Sequence, residues 1–300
     1  MRTLFFLLFS FVVLGLTACG NSYDNPPKVN AAQVKKYLNA QVAIGARYSA
    51  SRGASQARDE IAASVSRPVI YQKFEDMTPE GKKLFVNLIV EVPGKSEEKF
   101  IVVGAHYDTK KMLSVPHFSG ANDGASGVAA LLAMISACPE KELPFSVRFV
   151  FFDGEESLND YNEHDGLHGS RFYVRELVNR NETKNCKAMI LLDMVGDTDL
   201  LVRFPADTTP FLLKYAENAA KKHGMEKHFQ SGGTNMLDDH KPFQQNGIPA
   251  IDIIDFDYGP GNAYWHTDQD TLEHVSENSI VMAADFAFAL IWEIAANSKD

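Results

Sequence analysis

Three apolar runs in this chain each end in groups that a buried strand would not hold. Residues 100–108, "FIVVGAHYD", end in His106 and Asp108. Residues 147–156, "VRFVFFDGEE", end in Asp153, Glu155 and Glu156, and residues 188–196, "AMILLDMVG", carry Asp193 near their end. Runs this apolar and β-branched, with no alternation, read as strands covered on both faces. Side chains next to each other on a strand point to opposite faces, so a buried strand gains nothing from Glu155 beside Glu156, and desolvating both would be costly. The pattern makes sense if each strand stops there and delivers its last residues to one edge of a sheet. Open α/β sheets place their sites beyond the strand carboxyl ends.

The rest of the chain supports that architecture. Residues 31–45, 54–65, 124–138, 169–179, 210–224 and 279–296 are rich in helix formers, and Gly224 supplies a stop. Residues 84–92 and 248–255 read as further strands, and "PGKSEEK" as a hairpin-like turn joining strands 84–92 and 99–108. The alternation predicts an α/β fold, three-layer α/β/α with a mostly parallel mixed central sheet. With no repeat or linker after residue 30, residues 31–300 are expected to form a single catalytic domain. A hydrophobic share of 45% and a charged share of 23% suit a soluble globular chain. The net charge of −10, with no basic block, argues against a nucleic-acid partner.

The first residues read as processing signals. Arg2 precedes an apolar run from Leu4 to Leu16 and then small residues. That run falls short of the ~20 residues a membrane-spanning helix needs, so residues 1–18 read as a signal peptide. Leu16-Thr17-Ala18-Cys19 resembles a bacterial lipobox, which implies cleavage before Cys19 and a lipid on it as a membrane anchor; the alternative is a plain signal peptide. Residues 19–30 would then be a lipidated tether. The expected location is the cell envelope of an exported lipoprotein, at the outer membrane of a Gram-negative cell because Gly20 is not Asp. Cys138 and Cys186 admit either a disulfide or two buried free thiols.

The chemistry-bearing residues form one set. Asp123 lies in "GANDGASG" just before a helix, and His266 in "YWHTDQDT", a loop after the last strand. Each has an ordinary explanation: Asp123 as a helix cap, His106 as a core histidine, Asp193 as a buried acid, His266 as a surface residue. Their convergence on one edge favours a divalent metal, with zinc the best match to imidazole and carboxylate donors.

In this order, "HYD", "NDGASG", "DGEE", "LLDMVG" and "WHTDQDT" resemble peptidase family M28, over nearly the whole chain from about Gly45. The family holds zinc aminopeptidases, glutamate carboxypeptidases and glutaminyl cyclases. The resemblance implies a zinc exopeptidase-like fold with His106, Asp123, Glu156, Asp193 and His266 as metal ligands. Asp123 would bridge if two metals bind, Glu155 would be the general acid/base, and Asp108 would orient His106.

Within the family, several features are similar to the cyclases: the long link "SLNDYNEHDGLH", "GLHGSRF", "HYDTK", "LDDHKPF" and "YWHT". They imply a glutaminyl-peptide cyclotransferase-like enzyme acting on peptide or protein N-termini, with one zinc and with Asp193 and Asp238 in an acid network around the substrate. The alternative is a zinc aminopeptidase with two metals; a third reading is an inactive binding module. "GARYSAS" departs from the cyclases' proline-bearing early pattern, and Tyr161 stands where they carry a Trp. Tyr161 and Trp265 are the candidate substrate-contacting aromatics, ordinary rim packing being the other explanation for each.

Overall fold

The structure, a computed structural model, describes residues 23–115, 118–162 and 164–298. The signal peptide and Cys19 lie outside the described residues. Of the expected tether, Val29 is buried and its N–H donates to Asp285.

Helices α1 (Ala31–Ile44) and α2 (Arg52–Ala63) lead into strands β1 (Ile70–Thr78), β2 (Gly81–Val92) and β3 (Phe100–His106). Then follow α3 (Ala125–Ala137), β4 (Ser146–Phe152), α4 (His168–Asn179), β5 (Cys186–Asp193) and β6 (Val202–Phe204). The chain closes with α5 (Pro210–Lys222), β7 (Phe229–Ser231), α6 (His240–Gln245), β8 (Ala250–Ile254) and α7 (Glu277–Asn297). The six-stranded sheet has the order β1-β2-β4-β3-β5-β8. Strands β4, β3, β5 and β8 are parallel, while β1 and β2 are antiparallel additions at one side. Short β6 and β7 pair with each other.

Side-chain alternation splits the core into two layers. Ile101, Val103 and Ala105 of β3 face a large cluster with α1, α2, α3, α5 and α7. Phe100 and Val102 face a smaller one with α4 and α6. This is the three-layer arrangement expected. Every residue of β3 is buried, which explains its unbroken apolar run. Helix α7 is long and apolar enough to cross a membrane by length and composition, yet most of it is buried in the larger cluster.

One expectation needs correction, and one left open is decided. Strands β2 and β3 are not a hairpin, because β4 lies between them and β2 runs antiparallel to β4. Segment 93–99 instead bonds to the turn before β4, through Lys95 N–H to Leu143 O and Lys141 N–H to Pro93 O. The hairpin partner of β2 is β1, whose polar-rich "IYQKFEDMT" gives little strand signal. Cys138 and Cys186 are free thiols. Cys138 belongs to the cluster on one face of the sheet and Cys186 to the cluster on the other, so no disulfide can join them.

Candidate metal centre and active-site cleft

His106 and Asp193 are the last residues of β3 and β5, and those neighbouring parallel strands bring them together: His106 Nε2 lies 3.1 Å from Asp193 Oδ1. Asp123 joins them from the turn before α3, with Oδ1 3.3 Å from the same nitrogen. Asp123 does not cap α3; its N-cap is Gly124, at φ +95, where a Cβ would meet the Asp108 carbonyl and the His106 ring. Gly127, one turn on, lets α3 close onto β5, since a Cβ there would come 2.5 Å from Leu192 O.

The other oxygen of Asp123 faces a second group. Its Oδ2 lies 3.1 Å from His266 Nε2, which is also 3.1 Å from Glu156 Oε1. So His106, Asp123 and Asp193 form one trio of donors, Asp123, Glu156 and His266 another, and Asp123 belongs to both. His266 and Met194, which follows Asp193, adopt left-handed φ values of 53° and 47°. Strain of that kind persists where surrounding contacts over-determine the backbone.

Electrostatics test whether these residues fit a cation. Asp123, Glu155, Glu156 and Asp193 are all buried, and Lys110, 3.5 Å from Glu156, is the lysine that approaches them. Burial opposes charging both histidines, yet nearby carboxylates overcome it: Asp193, Asp108 and Asp123 push His106 well up, and Asp123 and Glu156 bring His266 to about 10. Despite its own burial, Asp123 is pulled down by the two histidines. The cluster therefore demands positive charge between its oxygens, and histidine nitrogens beside carboxylates suit a divalent metal. The residues fit such an ion, and either trio could hold one.

Glu155 is set apart. It belongs to neither trio, and burial, reinforced by Glu156, Asp239 and Asp193, pushes its pKa well up against the pull of His106. The Tyr161 hydroxyl lies 3.0 and 3.2 Å from its two oxygens. Asp108, expected to orient His106, stands 3.7 Å from Nδ1, beyond hydrogen-bond range. Its oxygens take the N–H groups of Glu155 and Glu156, at 3.2 and 3.3 Å, and so aim both glutamates.

The cluster opens into a cleft that also touches Tyr161, Asp238 and Trp265. Trp265 stacks on His266 at 4.1 Å and meets Phe256 edge-on. Asp238 is buried with Oδ2 unpartnered, and burial together with Asp252, Asp193, Glu155 and Asp239 raises its pKa well above the usual range. His106, Asp108, Asp123, Glu155, Glu156, Tyr161, Asp193, Asp238, Trp265 and His266 thus gather around one rim, whereas Asp153 belongs to neither trio and takes the Val86 N–H and the Ser49 hydroxyl.

Sequence reasoning missed the braces behind this rim. Asp270 is buried and accepts from the N–H groups of Asn122 (2.7 Å) and Asp123 (3.1 Å) and from the Tyr258 hydroxyl. Arg47 is fully buried and donates to the carbonyls of Gln41, Gly45, Tyr107, Ser119 and Gly120. Burial lowers its pKa to about 10, with Asp270, Asp108 and Asp123 opposing. A guanidinium on the carbonyls and a carboxylate on the amides together clamp the turn that carries Asp123. An arginine within the small-residue stretch "GARYSAS" is the one local hint of this.

The family model of peptidase family M28 matches residues 87–291. The chain belongs to peptidase family M28. It is 26% identical over 222 residues to the glutaminyl-peptide cyclotransferase of Drosophila melanogaster, covering 66% of this chain and 62% of that one. To aminopeptidase YwaD of Bacillus subtilis it is 30% identical over 207 residues, covering 66% of this chain and 42% of the relative. It therefore spans less than two thirds of the length of either relative. Among solved structures, glutaminyl cyclase from an Acidobacteriales bacterium superposes with a TM-score of 0.85 at 32% identity, covering 91% of this chain and 97% of that one.

Proposed function

We propose that this M28 member is a zinc-dependent glutaminyl-peptide cyclotransferase, converting an N-terminal glutamine to pyroglutamate with release of ammonia. The observation that carries the reading is Glu155: buried, outside both donor trios, held by Tyr161, and facing the cleft. The likeness to the Acidobacteriales glutaminyl cyclase, which extends over nearly all of that chain, supports it.

Zinc held by Asp123, Glu156 and His266 would supply Lewis-acid polarisation of the glutamine side-chain carbonyl. Glu155 accepts a proton from the α-amine as its nitrogen attacks the carbonyl carbon of the side-chain amide, and returns it to the departing nitrogen, which leaves as ammonia. A raised carboxyl pKa suits this exchange, because Glu155 must hold and release one proton near neutral pH. Asp238, whose pKa is raised by burial and then by its acidic neighbours, is placed to meet the substrate amide, and Trp265 walls the cleft beside His266. No water is consumed in this reaction.

One observation favours a second reading. The trio His106, Asp123 and Asp193 is complete as well, and two-metal centres activate water in aminopeptidases. Paired assays on the purified protein separate the two. Ammonia released from Gln-peptides, with pyroglutamyl product, supports the cyclase; release of aminoacyl chromophores with two bound metals replaces it. The N-terminal signal and Cys19 lead us to place the enzyme in the cell envelope of a bacterium, anchored by lipid. Labelling with a radioactive fatty acid, lost in Cys19→Ser, tests that.

A further inference from the structure

Strand β1 is one end of the sheet: among the described residues, β2 is its one strand neighbour. Its outer backbone groups, on alternate residues, are free to pair with another strand. The hairpin it makes with β2 also carries apolar residues in water. Ile70, Tyr71, Met77 and Leu84 are 58%, 45%, 51% and 52% exposed. A long exposed edge bearing apolar side chains marks an interaction surface.

The sequence of the edge selects its occupant. In a two-fold pairing of antiparallel strands about an axis normal to the sheet, the axis must pass through a residue, because paired side chains share a face. With the axis at Phe74, all nine residues of "IYQKFEDMT" pair. That register sets Tyr71 opposite Met77 and Lys73 opposite Glu75, each twice. All four are exposed on one face of β1. Aromatic-to-thioether and lysine-to-glutamate neighbours are both favourable across strands. On the other face Gln72 meets Asp76 and Ile70 meets Thr78. Phe74 at the centre stays packed, stacked on Phe172 of α4 at 4.1 Å. Shifting the axis by one residue costs paired positions and moves Lys73 away from Glu75. Glu75 already has Lys82 of β2 beside it on its own chain, so it would sit between two lysines.

We propose that β1 is a self-complementary docking edge, and that its partner is β1 of a second copy of this chain, joined in an antiparallel, two-fold register centred on Phe74. The result is a continuous twelve-stranded sheet, twice the six strands of one chain, with both clefts free.

Sedimentation velocity of the purified protein over a wide concentration range tests this. The expected result is a mass that rises from one chain to two. Lys73→Glu should weaken the dimer about tenfold or more, since two like-charged pairs replace two ion pairs. The exchange Lys73→Glu with Glu75→Lys should restore it. Oxidising a mixture of Lys73→Cys chains with Glu75→Cys chains should give a cross-linked dimer, because directly opposed positions lie within disulfide reach. Oxidised Lys73→Cys alone should give none. A single-chain mass at every concentration overturns the proposal. So does a Lys73→Glu dimer of unchanged strength, an exchange that restores nothing, or a mixture that fails to cross-link.

Discussion

The two donor trios share Asp123 but are mounted differently. His106 and Asp193 terminate adjacent parallel strands, and backbone ladders to β3's other neighbour β4 and to β8 hold those ends in place. Glu156 and His266 ride on loops, where position depends on single side chains. Asp108 grips the Glu155 and Glu156 amides, Trp265 stacks on His266, and Asp270 links the loop of His266 to the turn of Asp123. One half of the centre is fixed by secondary structure and the other by a few buried polar contacts. The contrast teaches that donors of equal chemistry can differ in how easily a distant substitution loosens them.

The largest effect should come from the residue that belongs to neither half. Glu155→Gln removes the proposed proton carrier while leaving both trios whole, so kcat should fall by roughly 10²–10⁴-fold with metal content unchanged. Turnover within a few-fold of wild type would remove Glu155 from the chemistry. Next, His266→Ala and His106→Ala set the two halves against each other. If the outer trio holds the catalytic ion, His266→Ala should reduce bound zinc and abolish turnover, while His106→Ala keeps one ion per chain. The reverse ranking, read by mass spectrometry and chelator competition, would move catalysis to the strand-borne half.

Smaller effects sharpen the comparison. Asp270→Asn swaps one amide acceptor for a donor facing N–H groups, and should weaken zinc binding by about 10–100-fold, the range for residues that support ligands. An equal loss of affinity from a substitution beneath β3 would erase the claimed difference between the halves. Tyr161→Phe removes the hydroxyl beside Glu155 and should lower kcat more than it raises KM, by about tenfold, a typical charge-assisted hydrogen bond. An effect confined to KM would make Tyr161 a substrate contact alone.

The smallest effect lies outside both trios. Burial raises the Asp255 carboxyl to about 6, the Leu201 amide opposing and Asp197 assisting. Its folded pKa exceeds the ordinary 3.8, so its stabilising contribution is full below about pH 4 and is lost as pH rises through 6. Asp255→Asn should flatten that segment of the stability curve, worth on the order of 2–3 kcal/mol. An unaltered curve would show that Asp255 does not titrate there.

The same contrast explains what was legible in the sequence. A buried parallel strand must be apolar throughout, so the abrupt His106, Asp153 and Asp193 announced both the strand ends and the site. Glu156 could be read from its position just past such an end. His266 and Asp123 stand in loops with no periodicity; their places after the last strand and before a helix put them in the set, and the family resemblance gave them ligand roles. Asp270 carried no readable signal and Arg47 only a faint one, because the groups they hold on the turn of Asp123 are backbone atoms of a segment remote in the chain. The misread hairpin has the same root: strand neighbours across a sheet are set by long-range packing, and β4, some fifty residues further on, displaced β3 from the side of β2.

Asp123 offers one oxygen to each trio, and that arrangement constrains how a lineage can change. Ancestors could shed or regain either ion-holding half by altering residues on that side alone, since His106 and Asp193 answer to one half and Glu156 and His266 to the other. The shared aspartate has no such freedom: any replacement dismantles both at once. Descendants that trade one reaction for another should therefore vary everywhere around this position before they vary at it.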